Sequence, residues 1–486
     1  LVRDVTRTCF TPCTEQDLQT FDEWLEDRPY TLKRKNDLRT THSGLLLDGS
    51  IISHRHGKKP VMKTRVKCFV KEEFYPEYKF SRCINSRDDE FKVYIGRFFR
   101  AIEKVVFKDD DFAKYIPVAD RGDWLQSKLL MDCVKCCTTD FTAMEASIKS
   151  RVFEEIEIPF YEHMLQGVHG GRDAVEAMRL VLPGRNNCMF RDFNLKIDGC
   201  RMSGEMNTSL GNGFVNKMLI SYYLFCHGKD WRSPKGIEGD DGIFLDVVKS
   251  KVGDFFTKLG FRIKLLDNLP LSEASFCGIV ADEDDKKIIT DPREVLATLG
   301  WANRNYMRMN DRTRHTMIRA KAMSMAYSYQ GCPVLSACAR WLLRCTKSYD
   351  VRHFISQSPS LCEYEREQML AALTNFSLAV CEVEVGQGTR DLVERLYEVP
   401  VEVQLRMEAW FDAQTEIRPI PAMDLGMELP FDWIHFYGNY SFVSATPGTV
   451  PSLPVSPLRQ PSFDHTGRVL FKVPCHESEN TPPMVH

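Results

Sequence analysis

The sequence predicts a mixed fold, α+β or α/β through its middle and mostly helical beyond it, on three observations. Between about residues 130 and 290, short β-prone runs alternate with amphipathic stretches. From about 291 to 435 the apolar spacing is helical, as in 301–327 and 335–347. The last stretch, 441–486, holds eight of the 24 prolines in 46 residues and has no helix period, so an extended tail is expected there.

Each middle element has a local reason. Residues 134–139 are apolar or β-prone and run into Asp140. Residues 211–226 read as a helix with Phe214, Met218, Leu219 and Tyr222 on one side. Residues 242–248 read as a strand and 249–260 as a helix closed by Gly260. Nearer the start, Phe21, Trp24 and Leu25 are spaced as one helix face. No repeat of 20 to 50 residues is visible.

Composition narrows the function. A length of 486 residues fits two to four domains, or one large enzyme of subdomains around a single cleft. With 43% hydrophobic and 27% charged residues, wholesale disorder is excluded. Lys+Arg at 64 against Asp+Glu at 67 leaves a net charge of -3, which excludes a histone-like surface, so any nucleic-acid site is a local groove. Seventeen scattered cysteines read as reduced thiols rather than a disulfide framework. The longest strongly apolar stretch, 218–226, falls far short of the roughly 20 residues of a membrane helix. The chain opens at Leu1 without Met or a signal pattern, as a processed product or a partial sequence would.

One segment departs from this balance. Residues 55–82 carry nine Lys/Arg against three acids, a local +6, including Lys58, Lys59, Lys63, Lys71 and Arg82. Phe69, Phe74, Tyr75, Tyr78 and Phe80 interleave with those charges, a pattern suited to RNA, whereas a solvated face usually alternates signs.

Three motifs carry chemistry. Glu238-Gly239-Asp240-Asp241-Gly242 puts two adjacent carboxylates in a glycine-flanked turn before an apolar strand. Such a turn can be ordinary hairpin punctuation or a hard, oxygen-rich site of the kind Mg²⁺ prefers. Asp140, at a strand end a hundred residues earlier, supplies the second carboxylate that two-metal phosphoryl transfer needs. Between them, 203–212 (Ser-Gly-Glu-Met-Asn-Thr-Ser-Leu-Gly-Asn) is a small-residue loop entering a helix. It suits close approach of a nucleic-acid backbone, and equally a helix start capped by Ser203 or Asn207.

In this order and spacing, Lys71 with Arg82, then 140–145, then 203–212, then 239–241 resemble motifs F, A, B and C of a viral RNA-dependent RNA polymerase. The wording of the loop is most similar to the tombusvirus-like group of positive-strand RNA viruses. The resemblance spans about 65 to 280 and implies an α+β right hand with an antiparallel palm sheet and a helical thumb. In those terms 1–131 would be fingers, 132–150 palm, 151–200 a fingers insertion, 201–290 palm, 291–440 thumb and 441–486 a proline-rich tail.

The resemblance also implies roles. Asp140, Asp240 and Asp241 would hold two Mg²⁺, or Mn²⁺ in its place. Asn212, assisted by Ser203 and Thr208 behind Gly204, would test the ribose 2′-OH, and Lys71 and Arg82 would hold the phosphates. Lys264, in a stretch similar to motif D, would donate a proton near the leaving group. Residues 275–278 resemble the turn of motif E. Glu145 departs from the family, which places Asp there, so its reach toward the sugar is a methylene longer.

Other features carry less. Cys133 and Cys136 have the spacing of half a zinc site, but no second pair follows. His54 and His56 flank Arg55 in the basic run. Arg304, Arg308 and Arg312 recur every four residues and could track a product duplex, or could be a solvated helix face.

The expected activity is templated nucleotidyl transfer from NTPs to an RNA 3′-OH for viral replication and transcription. The expected partners are RNA, NTPs and a viral co-factor or membrane-anchoring protein, at membrane-associated complexes in the host cytoplasm. Two alternatives stand beside it: a reverse transcriptase-like palm enzyme, and a catalytically silent RNA-binding scaffold.

Overall fold

Strands β1 (Arg65–Val70), β2 (Cys83–Arg87), β3 (Cys136–Phe141), β4 (Arg185–Met189), β5 (Asn194–Asp198), β6 (Lys235–Glu238), β7 (Asp241–Leu245), β8 (Ile263–Leu269), β9 (Val280–Ala281) and β10 (Ile288–Ile289) form three sheets. This computed structural model describes residues 1–48, 65–71, 80–129, 135–246, 248, 252–285, 287–299, 310–358, 361, 363–375 and 383–434. The proline-rich tail lies outside the described residues, as do Lys58, Lys59, Lys63, Cys133, Arg304 and Arg308.

The central sheet, in the order β6-β7-β3-β8, is antiparallel throughout. A second sheet, β2-β1-β4-β5, mixes the β1–β2 and β4–β5 hairpins with a parallel β1–β4 pairing, and β9 and β10 form a small ladder of their own. The fold is therefore mixed helix and sheet, as the sequence predicts.

Local chemistry accounts for the element ends. Thr20 and Glu23 form a reciprocal cap on the helix Phe21–Glu26, whose Trp24 and Leu25 are buried as the spacing predicts. Asn310 accepts from the Thr313 backbone N–H at 2.9 Å and starts the helix Asp311–Ser328. The expected strand 242–248 ends at Leu245, and the expected helix 211–226 starts earlier, at Thr208.

That helix, Thr208–Cys226, corrects the one-sided reading. Phe214, Met218 and Leu219 are buried, but Tyr222 is 40% exposed, and the burial from Leu210 to Ser221 runs all round the helix. The reason is that it is enclosed: Phe214 stacks on Phe160 with ring centroids 3.9 Å apart and meets Phe10, while β6 and β7 cover the other side. Only its last turn emerges.

Beyond β10, the helices Pro292–Leu299, Asp311–Ser328, Leu335–Cys345, Arg352–Gln357, Glu363–Asn375, Gln387–Tyr397 and Val401–Ala413 follow, as the helical spacing of 291–435 predicts. They build a separate core in which Trp341 packs on Trp410 and Phe411. None of the described helices is long and apolar enough to cross a membrane.

Candidate active site

The paired carboxylates sit at the reversal between β6 and β7. β6 and β7 pair through Glu238 opposite Asp241, which leaves Gly239 and Asp240 as the two-residue turn. Gly239 has φ +61, a left-handed backbone that glycine adopts without steric cost. In the adjoining ladder Thr139 of β3 lies opposite Gly242 of β7, and one step along that register brings Asp140 alongside Asp241. Asp140 is itself opposite Lys264 of β8. Directly opposed residues share a sheet face, so the exposed side chains of Asp140 and Lys264 project together.

The approach at Gly242 is close. A Cβ there would lie 2.5 Å from Thr139 Oγ1, so glycine is what lets β3 and β7 come together beside the carboxylates. Asn216 holds the turn from the other side, its Nδ2 reaching the carbonyls of Gly239 (3.3 Å), Asp240 (3.1 Å) and Asp241 (3.1 Å). Sequence reading passed over Asn216. The available signal was its place one helical turn beyond Asn212, on the same face.

The carboxylates sense one another. Burial pushes the Asp240 carboxyl up, and Glu145 and Asp140 add to this, against its own backbone N–H and the Arg82 guanidinium. Asp241 is pushed up to about 7 by burial first, then by Asp240 and Asp140, while a hydrogen bond from Cys277 pulls the other way. Within 275–278, the stretch that resembles the turn of motif E, Cys277 lies against Asp241. No three His, Cys, Asp or Glu side chains among the described residues form a ready metal cage. The donor chemistry nonetheless suits a hard cation, since Asp140, Asp240 and Asp241 bring oxygen ligands whose mutual repulsion a divalent ion would relieve.

The polar side chains of 203–212 divide between main-chain and side-chain partners. Ser203 Oγ donates to the Cys83 carbonyl at 2.9 Å and accepts from the Asn85 N–H at 3.2 Å. Thr208 Oγ1 donates to the Glu205 carbonyl at 2.9 Å. Both hydroxyls thus serve main chain. Asn207 occupies the helix N-cap without a capping bond, its Nδ2 donating to Tyr161 Oη at 2.8 Å instead. Asn212 is 2% exposed, and its Nδ2 donates to Glu145 Oε1 at 3.3 Å while its Oδ1 has no hydrogen-bond partner. The structure therefore brings Asn212 and Glu145 together, ties Ser203 and Gly204 to β2 and ties Thr208 to the loop's own main chain.

Two buried Arg–Glu pairs flank this loop, and the sequence reading missed both. Arg87 of β2 pairs with Glu205, and Arg201 pairs with Glu157, which also accepts from Tyr161 Oη at 2.9 Å. Arg201, Glu157, Arg87 and Glu205 have at most 2% exposed side chains. A buried charge needs a partner, but sequence alone does not mark which charges will be buried.

At the edge of the site the Lys71 N–H donates to the Arg82 carbonyl at 2.8 Å, closing the β1–β2 hairpin so that both basic residues leave one end of it. Arg82 is exposed, and its charge is felt at Asp240. Arg312 is exposed on the helix Asp311–Ser328, far along the chain from these motifs.

Residues 170–400 match the sequence model of the family described as viral RNA dependent RNA polymerase. That span contains the 203–212 loop, the Gly239–Asp241 turn and Lys264. Asp140, Lys71 and Arg82 precede it. The RNA-directed RNA polymerase of Pothos latent virus (isolate Pigeonpea/India) is 25% identical over 211 residues, covering 40% of this chain and 28% of that protein. That of Tobacco necrosis virus (strain D) is 27% identical over 219 residues, covering 40% and 29%. That of Panicum mosaic virus (strain United States/Kansas 109S) is 23% identical over 234 residues, covering 44% and 23%. The match thus spans less than a third of each relative's length. The resemblance read from motif order and spacing is borne out.

Proposed function

We propose that this chain, similar over 170–400 to viral RNA-dependent RNA polymerases, catalyses templated nucleotidyl transfer from NTPs to an RNA 3′-OH. The observation that carries the reading is the register of the central sheet, in which β3 and β7 bring Asp140 beside the Gly239-Asp240-Asp241 turn. In right-hand terms that sheet and the helix Thr208–Cys226 are the palm, the β1–β2 hairpin belongs to the fingers, and the helices after Ile289 are the thumb.

Asp140, Asp240 and Asp241 would hold divalent cations, Mg²⁺ in the first instance, which when bound lower the pKa of the attacking hydroxyl and stabilise the pyrophosphate. The protein's own part is placement. Arg82 and Lys71 hold the triphosphate from the end of the hairpin. Asn212, with an unpartnered Oδ1 and its Nδ2 on Glu145, reads the ribose hydroxyl. Lys264, across the ladder from Asp140, would give a proton to the departing pyrophosphate. Positioning and fixed charge supply most of the acceleration, so no side-chain nucleophile is required.

The relatives are named RNA-directed RNA polymerases, and neither the reverse transcriptase reading nor the silent scaffold is favoured. A viral co-factor or membrane-anchoring partner, and work at membrane-associated complexes in the host cytoplasm, are carried by the family resemblance. The test is incorporation of labelled nucleotides on a short RNA template with Mg²⁺. RNA-templated extension with NTPs is expected. Extension with dNTPs alone would favour the reverse transcriptase reading, and RNA binding without extension the scaffold.

A further inference from the structure

We propose that Arg87 and Glu205 are positioning residues that couple the grip on the incoming nucleotide's phosphates to the reading of its sugar. The inference rests on the polymerase reading and deepens it. Arg87 ends β2, and its Nε donates to Glu205 Oε1 at 2.9 Å while Nη2 reaches the same oxygen. The pair is closed off from solvent, with side chains 1% and 2% exposed.

Around it, the loop is stitched to β2 as if it were another strand. The Gly204 N–H donates to the Asn85 carbonyl at 3.1 Å, and Ser86 and Gly204 form a parallel bridge. A Cβ on Gly204 would lie 2.9 Å from Asn85 O and 3.0 Å from Ile84 Cγ2, so only glycine allows this contact without a shift. Ser203 Oγ adds its bonds to Cys83 and Asn85. One side of this seam leads directly to Arg82 and, through the Lys71 N–H, to Lys71. The other side leads through the Thr208 bond to the Glu205 carbonyl into the helix that carries Asn212.

The ion pair does something the backbone bonds alone cannot. Main-chain bonds tolerate a slip of register, but a slip here would bury an arginine and a glutamate without each other, a strongly disfavoured state. A buried ion pair adds little net stability over well-packed apolar side chains, so its use at this seam is to fix one register. The phosphate-holding end of the hairpin and the sugar-reading helix then keep one relative position.

The test compares parent, Glu205→Gln, Glu205→Asp and the double variant Arg87→Met/Glu205→Leu, each checked for thermal unfolding and RNA affinity. In Glu205→Gln the KM for NTP should rise about tenfold, with kcat less affected, and the NTP-over-dNTP preference should fall by a similar factor, the pattern of weakened substrate binding. Glu205→Asp should restore part of both. The double variant should regain thermal stability without regaining the preference, and it gives the reading if Glu205→Gln does not fold. A folded variant with parental KM and parental sugar preference overturns the proposal, as does a change confined to RNA affinity. A parent that extends nothing overturns the polymerase reading and the coupling with it, whereas an active parent with indifferent variants overturns the coupling alone.

Discussion

Asn212 Nδ2 donates to Glu145 Oε1 at 3.3 Å, a hydrogen bond between residues 67 positions apart that joins the central helix to the short helical turn following β3. Glu145 stands where the resembling family places aspartate. From the helical turn Met144–Ser147 its longer side chain reaches the amide, and this leaves Asn212 Oδ1 as an open acceptor in a buried site.

Sugar choice should depend on that pair. A site built to bond a hydroxyl leaves its polar groups unpaired when the hydroxyl is absent, at about 1–3 kcal/mol per group. Asn212→Ala is expected to lower the NTP-over-dNTP preference by about one to two orders of magnitude. Single-turnover incorporation of matched NTP and dNTP measures it, and an unchanged ratio would withdraw the sugar-reading role from Asn212.

The carboxylate cluster should need a cation. Asp240→Asn removes a charge without changing volume, so incorporation should be lost while thermal unfolding stays near the parent's. Mg²⁺ should raise the parent's Tm by relieving repulsion among Asp140, Asp240 and Asp241, and should raise that of Asp240→Asn less. Parental incorporation by this variant at saturating Mg²⁺ would remove Asp240 from the metal set.

Gly242→Ala tests the strand contact. The added Cβ would meet Thr139 Oγ1 at 2.5 Å, so β3 and β7 must part or Thr139 must turn. Overpacking of this kind costs about 1–3 kcal/mol, and the displaced carboxylates should cut activity further. Gly242→Ala with Thr139→Ala should recover part of the stability in urea unfolding, and no recovery would place the clash elsewhere.

Acid stability should trace to a buried charge cluster behind the helix. Lys217 Nζ lies 2.9 Å from Asp111 and 2.7 Å from Asp109, and Lys128 and Lys235 also reach Asp111. Burial alone would push the Asp111 carboxyl up, but the Lys217, Lys235 and Lys128 ammonium groups outweigh it and hold it below the usual range. A carboxyl with a depressed folded-state pKa contributes stability that is complete above its unfolded value, roughly pH 4, and fades as pH falls through the folded value. Asp111→Asn should therefore flatten the decline in stability below about pH 4. At neutral pH it should destabilise the fold by less than the roughly 3–5 kcal/mol of a buried charge left alone, because Asp109 still pairs with Lys217. Denaturant unfolding across pH reads both effects.

What the sequence by itself determined lies in short spans. The Gly239-Asp240 turn, the Thr20 and Glu23 cap, the burial of Trp24 and Leu25 and the helical run after 291 each follow from a backbone angle, a cap or a period written in adjacent residues. Motif order and spacing add the family resemblance. Only the tertiary structure decided which side chains meet: Asn212 with Glu145, Asn216 with the turn carbonyls, Cys277 with Asp241, and Arg87 with Glu205. It also turned the hydroxyls of Ser203 and Thr208 to main chain and enclosed the central helix on all sides, with Tyr222 left outside. The reason is physical. A turn or a cap is settled by a few neighbouring dihedral angles and bonds. A contact across the fold depends on strand register and on which charges lose their water, and those are set only when the whole core closes around them.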